Sequence, residues 1–301
     1  MKMFNKLMVA GMSAALLAGC SSGSGSPEGT LSLAVTDAPV EDATAVWVQF
    51  SGVELHSSEH GNLFFEVGSL DEENNELPYK RIDLLALEGG GHELLLDEET
   101  LPAGRYQWIR LRLDTEPFAN SIVTATGEHD LTIPSGDERG LQLNRPITVP
   151  AGGFAAFTID FDLRKSVVQD GTGDYKLRPT LRMVDNSEVG AVAGQVDVIG
   201  ICETEDGMAV YVFPEHDATP VDINIDEDRG PVLVAPVRFN DDEGEYRYRA
   251  AFLTAGAYTL ALTCDADQDD PQADDELTFP LQQNVDVVVG ETTVANFLSE
   301  Q

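Results

Sequence analysis

The sequence predicts an all-β protein: two antiparallel β-sandwich domains behind a cleaved lipoprotein signal peptide. Three observations predict it. Apolar segments are short and alternate with polar residues at period two, nearly all are bounded by Gly, Pro, Asn or Asp, and no stretch sustains a helical period. A length of 301 residues suits two domains, and 42 % apolar residues are enough to build their cores. Asp and Glu number 53 against 18 Lys and Arg, a formal charge of −35. Such a chain repels phosphate backbones, which excludes nucleic acid as a partner held by charge. Salt would screen the repulsion among so many carboxylates, so stability is expected to rise with NaCl.

The first 19 residues read as a signal peptide. Lys2 and Lys6 precede an apolar run over residues 7–17, too short to span a membrane, and Leu17-Ala18-Gly19-Cys20 follows. That tetrapeptide resembles the bacterial lipobox. The resemblance implies cleavage before Cys20, a diacylglycerol thioether on its sulfur and acylation of the new amine by a chain such as palmitate. Ser21 in the next position implies export to the outer membrane. An ordinary secreted protein with a chance cysteine at the cleavage site is the alternative. Several acyl chains give firm anchoring, since each buried CH₂ contributes about 0.8 kcal/mol. Residues 20–29, Cys-Ser-Ser-Gly-Ser-Gly-Ser-Pro-Glu-Gly, are then a lipidated flexible tether.

Residues 30–186 form the first expected sandwich. Its strands are read at 31–35, 45–55, 82–87, 105–113, 122–125, 131–133, 147–149, 154–163 and 177–184. Val46, Val48 and Phe50 share one parity and Val53 and Leu55 the other, which places a β-bulge at the intervening Gly52. In 157–163 the odd positions are apolar, so Thr158, Asp160, Asp162 and Arg164 are expected to face solvent. The only short helical turns foreseen lie at 83–87 or 98–101.

The polar run Asp185-Asn186-Ser187-Glu188 marks the boundary, and residues 187–301 form the second sandwich. Its strands are read at 192–202, 209–213, 221–225, 232–239, 245–253, 257–264, 277–281, 285–289 and 292–297. Leu253-Thr-Ala-Gly-Ala-Tyr258 echoes Leu101-Pro-Ala-Gly-Arg-Tyr106, a turn glycine leading into a strand with a tyrosine. Setting Cys20 aside leaves Cys202 and Cys264, an even pair in an oxidising compartment, with parities that point both thiols at one core. A disulfide is the expectation and two buried free thiols the alternative.

Leu31-Ser-Leu-Ala-Val-Thr-Asp-Ala-Pro39, Val48-Gln-Phe-Ser-Gly-Val-Glu54, Ile82-Asp-Leu-Leu85, Leu101-Pro-Ala-Gly104 and Ile159-Asp-Phe-Asp-Leu-Arg-Lys165 together resemble a bacterial lipoprotein family. That family carries a domain of unknown function numbered 4382, and the resemblance covers about residues 30–186. The second domain is similar to prealbumin-like and carboxypeptidase-regulatory-like sandwiches, which border the carbohydrate-binding-like folds. Neither resemblance brings a catalytic residue with it, so a non-enzymatic module is expected.

Three groups of side chains are candidate sites. Asp265, Asp267, Asp269 and Glu276 stand at positions 1, 3, 5 and 12 of a calcium-loop spacing, where hard oxygens could converge on one Ca²⁺. Asp270 replaces the turn glycine of that pattern and Pro271 follows, so a solvated acidic loop is the alternative. Trp47, Tyr106 and Trp108 are read from parity as platforms for stacking a sugar, against the alternative of buried packing. His56-Ser-Ser-Glu-His60 lacks a His-Glu-x-x-His pattern, and Gly89-Gly90-Gly91-His92 has no accompanying nucleophile elbow. The expected function is therefore a lipid-anchored binding or scaffold module of the cell envelope, with polysaccharide or protein as partner. A calcium-dependent adhesion module and an Asp/Glu hydrolase are the alternatives.

Overall fold

Alternation becomes strands throughout the computed structural model, which describes residues 26–38, 43–134, 140–197, 201–202, 207–224 and 230–298. Cys20, the segment read as a signal peptide and most of the stretch read as a tether lie outside the described residues. The first strand, Glu28–Ala38, begins inside the stretch read as tether and already includes Gly29, which pairs with Leu101. A Cβ on Gly29 would stand 2.3 Å from the carbonyl oxygen of Pro150, so this glycine is packed.

The first sandwich sets a four-stranded sheet against a nine-stranded one. The smaller runs Leu181–Asp185, Phe154–Asp162, Glu28–Ala38, Glu93–Pro102 in spatial order. In the larger, Ala45–Ser57 is the hub, hydrogen-bonded to Trp108–Leu113, Ser121–Thr124, Gly61–Glu66 and Lys80–Asp83. Leu31, Leu33 and Val35 of one sheet meet Val46, Val48, Phe50, Val53 and Leu55 of the other in a single core. The pairing of Ala45–Ser57 with Trp108–Leu113 shifts register between Phe50 and Gly52, so the expected bulge is present. Not every pairing is antiparallel. Glu28–Ala38 runs parallel to Phe154–Asp162 in an otherwise antiparallel sheet.

The second sandwich packs the sheet Arg238–Asn240, Glu245–Thr254, Val189–Val196, Thr292–Val294 against Leu233–Pro236, Ala209–Pro214, Gly256–Thr263, Leu281–Val287. Val192, Val210, Val212, Ala250, Leu253, Leu260 and Leu262 fill its interior. A smaller apolar cluster lies on the outer side of the second of these sheets. There Tyr211, Phe213 and Ile223 are covered by Leu277 and Phe279, which follow the acidic loop. Cys202 and Cys264 are disulfide-bonded, with Cα atoms 5.6 Å apart.

Several sequence readings are corrected. Residues 98–101 are strand and not a helical turn: Glu99, Thr100 and Leu101 pair with Leu31, Thr30 and Gly29, and the positive φ of Glu98, 51°, marks an irregularity in the ladder. The expected strand 82–87 stops at Asp83, whose Oδ1 accepts the Val46 amide at 3.0 Å, and Leu85–Gly90 form a 3₁₀ turn. Described residues 221–224 and all of 277–280 are irregular. Thr158 and Asp160 do not face solvent: both are buried, together with Arg164. Parity correctly put them on the outer face of their sheet, but the second sandwich covers that face. Leu233 and Val234 close over Asp160, and Ala251 approaches Gly90 so closely that a Cβ there would lie 2.8 Å from it.

Candidate functional site

The outer face of the nine-stranded sheet is built in cross-strand rows. Pairing places His56 opposite both Asn62 and Trp108, and Glu54 opposite both Phe64 and Arg110, with Gln142 beyond Arg110. Directly opposed residues share a face, so all seven side chains project from the same side. Glu54 is the anchor. It accepts Arg110 Nη1 and Arg112 Nη2, each at 2.9 Å, and the Asn62 amide at 2.8 Å. Charge-assisted bonds of this kind fix the guanidinium groups in orientation. Phe64 is 54 % exposed and its ring lies over Gly52, where a Cβ would come within 2.4 Å of it. Gly52 thus serves both the bulge and the seat of an aromatic ring.

The sequence-predicted aromatic platforms divide here. Trp108 is half-buried, stacked on His56 at 5.1 Å with the Arg110 guanidinium 4.5 Å from its centroid. Trp47 carries the Arg81 guanidinium at 4.9 Å. Both hold cations over their rings. Tyr106 is fully buried and its hydroxyl donates to the Pro102 carbonyl at 2.7 Å, so it cannot stack on a ligand. Nor do Tyr106 and Trp108 share a strand: the chain breaks at Gln107 into Gly104–Tyr106 and Trp108–Leu113. Phe64 was missed by sequence reading because Gly61–Glu66 was not read as a strand. The alternation of Asn62, Phe64 and Glu66 with Leu63 and Phe65 was its only signal.

The acidic loop folds differently from a calcium loop. Asp269 groups with Asp222 and Asp275, whose carboxylate oxygens lie within 4.8 Å of one another, while Asp265, Asp267 and Glu276 are not part of that group. The Asp265 carboxylate turns to the Thr278 amide at 3.3 Å, and a Cβ on Gly207 would sit 2.4 Å from the Asp267 carboxylate. Spacing in sequence does not fix convergence when the loop has to pack Phe279 against Tyr211 and Phe213. Asp269 accepts the Tyr211 hydroxyl and, at 3.2 Å, the Ile223 amide. Arg164 reaches in from the first sandwich, donating to the Tyr211 oxygen at 3.0 Å with its Nη1 3.7 Å from Asp269 Oδ2. Burial pushes the Asp269 carboxyl above the usual carboxylate range, and the Tyr211 hydrogen bond and Arg164 charge only partly oppose it. At this junction a guanidinium supplies the positive charge.

The two candidate histidines are spoken for locally. His56 Nδ1 lies 2.6 Å from Asn62 Oδ1, and His60 Nε2 lies 3.3 Å from the Ala103 oxygen. Gly89 and Gly90 belong to the 3₁₀ turn.

The family description "Domain of unknown function (DUF4382)" matches residues 28–179, just over half the chain. The chain belongs to the DUF4382 family. The DUF4382 domain thus contains the nine-stranded sheet, its Phe64 row and Arg164. No curated protein matches the sequence. Among solved structures, the chain is similar to a leucine-rich repeat protein from Bacteroides thetaiotaomicron at 14 % identity and TM-score 0.22, covering 90 % of this chain and 26 % of that one. It is also similar to GBS52, the minor pilin of Streptococcus agalactiae, at 9 % identity and TM-score 0.20, covering 88 % and 94 %. A candidate cell-adhesion protein from Bacteroides fragilis aligns at 9 % identity and TM-score 0.24, covering 87 % and 83 %. These likenesses are too distant to carry an argument about fold or role. Among the described residues no helix is long and apolar enough to cross a membrane.

Proposed function

We propose that the protein is a non-enzymatic binding module of the bacterial cell envelope. It is tethered to the outer membrane through lipid on Cys20 and binds carbohydrate on the outer face of the nine-stranded sheet. The observation that carries this reading is the exposed Phe64 ring in one row with Arg110 and Gln142 and beside Asn62. A sugar offers an apolar face for such a ring and hydroxyls for planar donors and acceptors around it. Trp47 and Trp108 support the site by holding Arg81 and Arg110 in place.

A glycan array probed with the full chain in detergent tests the reading. Phe64→Ala and Arg110→Gln are each expected to weaken binding of the selected glycan about tenfold, the loss of one central contact. A folded chain that binds no glycan, or binding indifferent to both substitutions, overturns it. The tether is tested separately: Cys20→Ala should move the protein from the membrane to the soluble fraction.

A calcium-dependent adhesion or assembly module is the second reading, favoured by the grouped carboxylates of Asp222, Asp269 and Asp275. Thermal melts in CaCl₂ and in EDTA at matched ionic strength decide it. A rise with calcium that Asp269→Asn abolishes supports a metal role; superimposed curves leave Arg164 as the cation of that cluster.

A further inference from the structure

The chain enters the first sandwich at a corner built from uncharged loops. The Pro27 carbonyl accepts the Ala103 amide at 2.7 Å, and the Glu28 carbonyl accepts the Gly152 amide at 2.7 Å. The Thr30 amide in turn donates to the Gly153 carbonyl at 3.0 Å. Pro102-Ala103-Gly104 and Pro150-Ala-Gly-Gly-Phe-Ala-Ala156 thus flank the start of the first strand, and neither stretch carries a charged side chain in a chain of net charge −35. The second loop is held stiffly. Gly152 turns at φ 64°, and a Cβ on Gly153 would lie 2.8 Å from Pro150 Cγ.

Phe154 is the large apolar side chain that this loop presents. It is 55 % exposed and shares strand parity with Thr158 and Asp160, which are buried farther along the same face of the sheet. Asp185, Asn186 and Ser187 of the linker run beside the ring without covering it. That linker joins the corner to an exposed turn of the second sandwich. The Asn186 amide donates to the Ala156 carbonyl at 3.0 Å, and the Val189 carbonyl accepts the Gly290 amide at 2.8 Å. Asn186 and Val189 are separated by at most about 11 Å of chain, so Val288 and Val289, 48 % and 47 % exposed, lie near the Phe154 loop. Exposed apolar groups gathered in this way mark a surface that meets another phase or partner. The length of chain before the corner says which. With lipid on Cys20, only the seven residues leading to Pro27 separate the bilayer from the fold, at most about 25 Å when fully extended. So short a link holds this corner at the membrane surface at high effective concentration. Glu28, Glu188 and Glu291 expose carboxylates around these segments, which argues against an anionic lipid surface and for a zwitterionic one.

We propose that the corner made by Pro27, residues 102–104 and residues 150–156 is the face on which the anchored protein rests against a zwitterionic phospholipid bilayer. The Phe154 ring enters the headgroup region, as apolar side chains of interfacial segments do, with Val288 and Val289 beside it. The proposal rests on the lipid-anchor reading and deepens it, since an anchor alone leaves every orientation of the fold open.

The test is spin labelling of the full lipidated chain in vesicles of phosphatidylcholine and phosphatidylethanolamine. Phe154→Cys supplies one free thiol, because lipid occupies the sulfur of Cys20 and Cys202 and Cys264 are disulfide-bonded. Oxygen concentrates in lipid and a nickel chelate stays in water, so the ratio of their collision rates with the nitroxide reports where the label sits. The comparison site is Leu94→Cys, 38 % exposed and opposite Ala34, toward the far end of the strand whose near end holds Gly29. The label at 154 is expected to shift toward oxygen and the label at 94 toward nickel. If Phe154→Cys misfolds by circular dichroism, Ala151→Cys in the exposed turn of the same loop takes its place and should read as 154 does. Flotation of the vesicles reports on the anchor separately. A chain that floats while its labels at 154 and 94 give the same ratio overturns the orientation and leaves the anchor standing. A chain that does not float overturns the anchor reading, and the orientation with it.

Discussion

Arg164 of the first sandwich places its Nη1 3.7 Å from Asp269 Oδ2 of the second, and the two side chains are 6 % and 0 % exposed. The Tyr211 hydroxyl stands between them in a chain of hydrogen bonds that crosses the domain junction. Removing one partner of a buried pair leaves the other uncompensated, at a cost of about 3–5 kcal/mol. Arg164→Met and Asp269→Leu should each lower stability by about that amount, and the double variant by clearly less than their sum. A double-mutant cycle by calorimetry measures it. Simple additivity would show that the two residues do not act as a pair.

Tyr106 and Tyr258 make the same corner in the two sandwiches. Each hydroxyl donates to the carbonyl four residues upstream, Pro102 at 2.7 Å and Thr254 at 2.8 Å, across a turn containing Gly104 or Gly256. Tyr106→Phe should cost about 1–3 kcal/mol because it removes a part-buried bond made by a fully buried tyrosine, and Tyr258→Phe, whose bond is exposed, about 0.5–1.5 kcal/mol. Urea midpoints of the two variants check the order. Equal losses would mean that burial of the corner does not matter.

Mild acid should stabilise the protein. Burial raises the carboxyls of Glu88, Asp160 and Asp269 above their ordinary values, with Arg238, Arg182 and Tyr211 opposing in turn. A raised native value means that the native state binds more protons than the unfolded chain, so stability from these groups grows as pH falls from 7 toward about 5. Asp71, Glu128 and Asp170 are held low by hydrogen bonds, and their contribution is lost only as pH falls below about 4. The urea midpoint at constant ionic strength should therefore peak on the acid side of neutrality. A steady fall between pH 7 and about 5 would contradict this balance.

Reduction of the Cys202–Cys264 disulfide should loosen the second sandwich first. The bond closes a loop with a sequence separation of 62, for which chain entropy gives about 4 kcal/mol. Calorimetry with and without reductant should show the lower transition moving by that amount. A scan unchanged by reduction would place the stability of this sandwich in its apolar interior alone.

Much of the fold could be read along the chain. Val46, Val48 and Phe50 against Val53 and Leu55 announced the Gly52 bulge, because a period of two allows no other way to keep five apolar residues in one core. The disulfide followed from the pair of cysteines left once Cys20 is set aside, and from their parities. Glu93–Pro102 escaped, since a positive φ at Glu98 interrupts the alternation that defines a strand to the eye. Of the site, Trp108 was picked out but Phe64 was not, and Tyr106 was assigned to a surface that it never reaches.

The sequence by itself determined the all-β class, the domain plan expected from it, the cysteine pair and the family to which residues 28–179 belong. These are properties of local alternation, counting and motif. Only the tertiary structure decided that Thr158 and Asp160 are buried, Asp160 against Leu233 and Val234 of the second sandwich, that Asp269 meets Arg164 in place of Asp265 and Asp267, and that Arg238, Arg247 and Arg249 share one groove. The reason is physical: parity fixes which face of a strand a side chain occupies, whereas what covers that face depends on contacts between segments far apart in the chain.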